Sequence, residues 1–200
     1  VRLLCALLGV GYECEDVDLM HDAQHQPAFL AVNPRGEVPC LVDGDTVLRD
    51  SAAILLYIAG RHGPRPWWPD DVAEQADIQQ WLAFAASWVQ YGVFTARALV
   101  AFGMPANGLP LDFKGESLEG ARIRGRRSLE ILSQQLGAHD WLACGRPTIA
   151  DVAVFPYIAL APMGGIDLAP YPAVLAWIAR VRALPGFIPI AGLDDPRYRG

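Results

Sequence analysis

Asn33-Pro34-Arg35-Gly36-Glu37-Val38-Pro39-Cys40-Leu41-Val42, followed eight residues later by Asp50-Ser51-Ala52-Ala53-Ile54, decides how this 200-residue chain is read. An apolar strand with proline at its second position is unusual, because proline donates no hydrogen bond to a ladder. The Val38-Pro39 bond is a candidate for the cis form, which would turn the N–H and C=O of Val38 outward as a free strand edge. An extended peptide docks on such an edge by pairing backbone with backbone. Asp50-Ser51 opens the next helix, whose free N–H groups and dipole suit a carboxylate. An edge beside a helix N-terminus fits a small anionic peptide.

Around this stretch the chain reads as two textures. Residues 2–9 form an apolar helical run ended by Gly9 and Gly11. Tyr12 to Leu19 alternates apolar and acidic residues, which predicts a strand. Pro27-Ala28-Phe29-Leu30 predicts a short helix begun by its proline. Val38 to Val42 and Thr46 to Leu48 flank Asp43-Gly44-Asp45 and predict a hairpin. Ser51 to Arg61 predicts a helix capped by Asp50 or Ser51 and stopped at Gly63-Pro64. Beyond that point only helical periods remain: Val72 to Phe102, Gly115 to Leu136, Thr148 to Leu160 and Pro172 to Leu184. Met104 to Phe113 is a Pro/Gly loop. The expected organisation is an α/β unit over residues 1–62, a proline-rich linker over 63–71 and an all-helical unit over 72–200.

Composition narrows the function. With 52% hydrophobic and 19% charged residues the chain is globular, and its net charge of −6 argues against a nucleic-acid or anionic-membrane binder. Any anionic ligand must be met by local groups. Cys5, Cys14, Cys40 and Cys144 show no metal-ligand spacing and read as reduced cytosolic thiols. Cys5 and Cys40 are expected in the core. His21 and His25 lack the acid of a metal-binding helix and read as loop residues. The chain opens on Val1, already inside a helical run, and a preceding strand is expected upstream.

Several motifs in order carry a family resemblance. They are Val1-Arg2-Leu3-Leu4, Tyr12-Glu13, Phe29 to Pro39, Leu48 to Ile58, Arg146-Pro147-Thr148-Ile149-Ala150-Asp151-Val152, Tyr171-Pro172 and Leu184-Pro185-Gly186-Phe187. The chain resembles cytosolic-type bacterial glutathione S-transferases over essentially its whole length. The resemblance implies a thioredoxin-like N-terminal domain, its first strand lying before Val1, followed by an all-helical domain. It also implies a homodimer, a cytoplasmic location, and glutathione as co-substrate without a metal. Glutathione would pair with Val38 at the Pro39 edge, with its γ-glutamyl carboxylate at Ser51 and its amino group near Asp50. Glu37 and Arg35 would lie near the glycyl end, where Glu37 repels a carboxylate unless a cation offsets it. The thiol-activating residue is expected upstream of Val1.

The remaining features have plainer readings. Thr148-x-x-Asp151 has the capping-box form and is read as structural. The aromatic stripe of Trp81, Trp88, Tyr91 and Phe94 belongs partly to the core and partly to a pocket, with Trp88, Tyr91 and Phe94 as pocket candidates. Arg122, Arg124, Arg126 and Arg127 read as a solvated helix face or a dimer contact. The implied activity is transfer of glutathione to small apolar electrophiles. The alternatives are a binding protein that keeps the fold without the chemistry, and a glutathione-dependent isomerase or thiol reductase.

Overall fold

A computed structural model describes residues 1–64, 66–103 and 117–198. Arg65 and the predicted Met104–Phe113 loop lie outside them. The first unit holds α1 (Arg2–Leu8), α2 (Pro27–Val32), the strands β1 (Leu41–Asp43) and β2 (Thr46–Leu48), and α3 (Ser51–His62). The second unit begins with α4 over residues 72–102, then α5 (Leu118–Ala138), α6 (Ile149–Ala159) and α7 (Pro172–Arg182).

Local chemistry accounts for most boundaries. Gly9 closes α1 in the left-handed region at φ 65°, and Val10 N–H returns to the Cys5 carbonyl at 2.8 Å. Asp50 caps α3 by accepting from the N–H groups of Ala52 (2.8 Å) and Ala53 (3.4 Å). The predicted box before α6 is present: Thr148 Oγ1 accepts from Ala150 N–H, and Asp151 accepts from Thr148 N–H at 3.0 Å.

Two strand expectations fail. Tyr12–Leu19 forms no strand; residues 10–18 run without a ladder and Leu19–His21 is a 3-10 turn. Among the described residues the sheet has two strands, so nothing pairs with this segment, and an unpaired strand has no independent stability. The alternation of acids with Tyr12, Cys14 and Val17 marks an exposed extended segment instead. In the hairpin the ladder starts at Leu41, not Val38, with Leu41 opposite Leu48 and Asp43 opposite Thr46. The Val38-Pro39 peptide is cis, and Pro39 has no N–H to give a partner. Cys40, just before the ladder, is half-exposed and stands outside the core cluster.

Helix α4 is wound unevenly: Val72–Phe84 is α-helical, Ala85–Phe94 and Ala98–Phe102 are π-wound, and Thr95–Arg97 is a single α turn between them. It packs closely on α5 through paired glycines: a Cβ on Gly92 would stand 2.7 Å from Gly125 N. Both units feed one core. Leu3, Leu4, Ile54 and Ile58 of the first belong to the same buried cluster as Ile78, Phe155, Ile158 and Trp177 of the second. The residues between the units are fastened too, since Ile149 N–H donates to Trp67 O at 3.3 Å and Gln75 Nε2 to Pro69 O at 2.9 Å.

The candidate glutathione site

The turn that leads to Val38 is built on Asn33, which is 1% exposed. Its Nδ2 donates to Glu37 O at 2.6 Å, its Oδ1 accepts from Arg35 N–H at 3.1 Å, and its carbonyl accepts from Gly36 N–H at 3.0 Å. One buried amide thus fixes residues 33–37. Gly36 sits at φ 64° with its missing Cβ directed into the His25 ring, so only glycine fits there. Two further bonds tie this turn to the start of α3. Arg35 Nη1 donates to Arg49 O at 3.4 Å, and Arg49 Nε donates to Val32 O at 2.8 Å.

These ties place the Val38 edge and the α3 N-terminus on one frame. Val38 is 43% exposed, and among the described residues neither its N–H nor its C=O makes a hydrogen bond. Such open backbone groups are what a docked peptide needs. Glu37 and Arg35 are exposed beside them. Arg35 gives one donor to Arg49 O, so that bond serves the frame, and among the described residues it makes none to Glu37.

The second unit reaches this frame through Tyr157 on α6. Its hydroxyl lies near the Ser51 side chain and within reach of the Asp50 carboxylate. Burial raises the Tyr157 pKa, the Asp50 carboxylate raises it further, and the nearby Ser51 hydroxyl and Arg97 oppose the shift. Phe94 stands edge-on to Tyr157 with ring centroids 5.4 Å apart. Of the three predicted pocket aromatics, Phe94 is therefore joined to the Ser51 neighbourhood. Trp88 (42% exposed) and Tyr91 (39% exposed) lie on the outer part of α4, and no described ring contact joins them to Ser51. Trp81 is core.

Asn33, Arg49, Tyr157 and Arg97 were not singled out from sequence. Only Asn33 carried a usable signal, as the first residue of a turn, where a side-chain amide often bonds the backbone two residues on.

Other candidates resolve into structure. His21 Nδ1 lies 2.6 Å from Asp18 Oδ2, and His25 Nδ1 lies 2.5 Å from Asp22 Oδ1, so each histidine pairs with its own acid. Hydrogen bonding from His21 lowers the Asp18 pKa. Among the described residues no cluster of His, Cys, Asp and Glu is placed to hold a metal, and no helix is long and apolar enough to cross a membrane. Arg126 and Arg127 pair with Glu119 and Glu130, while Arg122 Nε donates to Gly164 O at 3.0 Å.

The pattern described as "Glutathione S-transferase, N-terminal domain" matches residues 1–61, and that described as "Glutathione S-transferase, C-terminal domain" matches residues 115–180. Glutathione S-transferase 2 of Anopheles gambiae is 30% identical over 190 residues, covering 93% of this chain and 86% of its own. The chain belongs to the glutathione S-transferase family. A glutathione S-transferase structure from Xanthobacter autotrophicus Py2 superposes with a TM-score of 0.83 at 33% identity, covering 96% of this chain and 91% of that one. A glutathione transferase homologue from Drosophila mojavensis, solved with bound glutathione, superposes at 0.79 with 26% identity over 92% of this chain and 81% of its own. In family terms the first unit is the thioredoxin-like domain and the second the helical domain. Glutathione S-transferases are enzymes, and the frame described above lies within the part that matches their N-terminal domain.

Proposed function

We propose that this protein binds glutathione along residues 35–39 and 50–51 and conjugates it to small electrophiles held against the helical unit. The observation that carries the reading is the open backbone of Val38, held on one frame with the capped start of α3. Val38 offers an N–H and a C=O to the cysteinyl backbone, and Pro39 keeps the edge from closing into the ladder. Ser51 and the first N–H groups of α3 receive the γ-glutamyl carboxylate. Asp50, besides capping, puts a negative charge beside the ligand's amino group. Arg35 and Glu37 meet the glycyl end, where Glu37 weakens binding.

Bound glutathione supplies the thiolate nucleophile of the reaction. The chain's own part is to position it, and orientation alone accounts for much of the gain over the solution reaction. Phe94, with Tyr91 and Trp88 further out, forms the apolar wall for the electrophile. None of the described residues is assigned as thiol activator. We place the glutathione-binding unit at residues 1–62, the linker at 63–71 and the electrophile-binding unit at 72–200. The working form is a cytoplasmic homodimer.

A spectrophotometric conjugation assay with glutathione and several electrophiles tests the reading, with calorimetry of glutathione binding beside it. Turnover with saturation in glutathione supports it. Binding without turnover leaves a glutathione-binding protein on a transferase fold, and absence of binding overturns both.

A further inference from the structure

Arg97, on the single α turn between the two π-wound stretches of α4, pairs with no carboxylate among the described residues. Its Nε is fully buried and makes no hydrogen bond among the described residues. No ion pair to it is found there either, and the group that opposes its loss of charge is the neighbouring Tyr157. The Phe102 ring covers the guanidinium at 5.2 Å from its centroid. Burial lowers the Arg97 pKa, the expected result for a cation without a countercharge.

The position of this cation gives it meaning. Tyr157 lies within the electrostatic reach of Arg97 and near Ser51 of the first unit. Phe94, one helical turn before Arg97, stands against Tyr157. A partly desolvated guanidinium therefore sits beside the aromatic wall of the electrophile site. A neutral apolar molecule bound there would desolvate the charge further and return nothing, which is costly. A carboxylate would restore the missing countercharge and accept two parallel N–H bonds from a guanidinium. The protein's net charge of −6 supplies no general attraction for anions, so selection must be local.

We propose that Arg97 is a specificity-determining residue and that the second substrate is an aromatic carboxylate: its ring lies against Phe94 and Tyr157, and its anionic group pairs with Arg97. This deepens the conjugation reading and rests on its placement of the electrophile, but its test does not depend on turnover. The probes are 4-nitrobenzoate and the isosteric neutral 4-nitrobenzamide, titrated by calorimetry into wild-type protein saturated with non-reactive S-methylglutathione, and again without it.

The expected result is a preference of about tenfold or more for the benzoate, equivalent to about 1.4 kcal/mol. Arg97→Gln should abolish the preference by weakening the benzoate alone. Arg97→Lys, which keeps the charge but loses the fork, should retain part of it. Equal binding of the two probes by wild type, a preference for the amide, or binding of neither overturns the proposal with no variant needed. An undiminished preference in Arg97→Gln overturns it as well. A thermal unfolding scan shows whether that variant is folded; if it is not, Arg97→Lys decides, since a preference below about a third of wild type's contradicts pairing by charge. A protein that prefers benzoate yet conjugates no electrophile would retain this inference and lose the conjugation reading.

Discussion

Asp151 and Val38 sit at opposite extremes of polar satisfaction in the same chain. The Asp151 carboxylate, 1% exposed, accepts from Leu142 N–H (3.1 Å), Thr148 N–H (3.0 Å) and Trp177 Nε1 (2.9 Å), and lies 3.4 Å from Thr148 Oγ1. It knots the residue 142 loop, the start of α6 and the indole of α7 together. Val38 keeps both backbone groups open among the described residues, beside a turn in which Asn33 satisfies Glu37 O, Arg35 N–H and Gly36 N–H. Polar groups that are fully used up inside the fold build it, while groups left open on a rigid frame are available to a ligand. Arg97 belongs with Val38 in this respect, although it stands in the helical unit.

The contrast can be broken most severely at Asp151. Asp151→Ala leaves three buried N–H donors without an acceptor and should cost about 3–5 kcal/mol of stability, read from urea unfolding. Glutathione affinity of the fraction that remains folded should change little. The Gly92–Gly125 approach comes next. Gly92→Ala forces a methyl against the α5 backbone and should cost about 1–3 kcal/mol, again without selectivity for the ligand site.

Asn33→Ala tests the other side. It releases Glu37 O and Arg35 N–H and should lower stability by about 1–2 kcal/mol, while glutathione affinity falls by about tenfold or more because the Val38 edge loses its frame. A loss of stability with unchanged affinity would show that the edge does not hold the peptide.

A finer probe is pH. Burial pushes the Asp151 carboxyl up from its ordinary 3.8 to about 6, against the pull of its hydrogen bonds. The folded form therefore holds its proton more tightly than the unfolded form. Its contribution is greatest below about pH 4 and is lost as pH rises through about 6. The difference in urea midpoint between wild type and Asp151→Asn should shift against wild type across that window and then level off. Smallest of all, Arg35→Ala removes one 3.4 Å bond at an exposed side chain and should change stability by less than about 0.5 kcal/mol.

Features written in adjacent residues were legible before the structure. The Asp50 cap, the Thr148–Asp151 box, the cis Val38-Pro39 bond and the helices after residue 72 all follow from short-range patterns. The Tyr12–Leu19 strand was misread because alternation describes a strand only when a neighbour pairs with it. The frame of the site was hidden for a related reason. Asn33 reaches Glu37 within its own turn, but Arg49 reaches back to Val32, and Tyr157 meets Ser51 from the other end of the chain. Arg97 stands out only once the structure shows that no described carboxylate meets it. Even Asp151, read correctly as a cap, gave no hint of Leu142 or Trp177 as donors.

The contact at Gly186 bears on how the protein is made. A Cβ there would stand 2.8 Å from the Ala6 carbonyl, and Phe187 next to it packs edge-on to Phe155 with centroids 5.6 Å apart. Helix α1, which also packs on α3, is thus covered in part by residues about 180 positions later in the chain, a long loop to close. During translation α1 can pack on α3 early, but its Ala6 side stays uncovered until Gly186 emerges. Packing of α1 is completed only after residue 187 has been made, and nascent chains released before it should be the ones that chaperones retain.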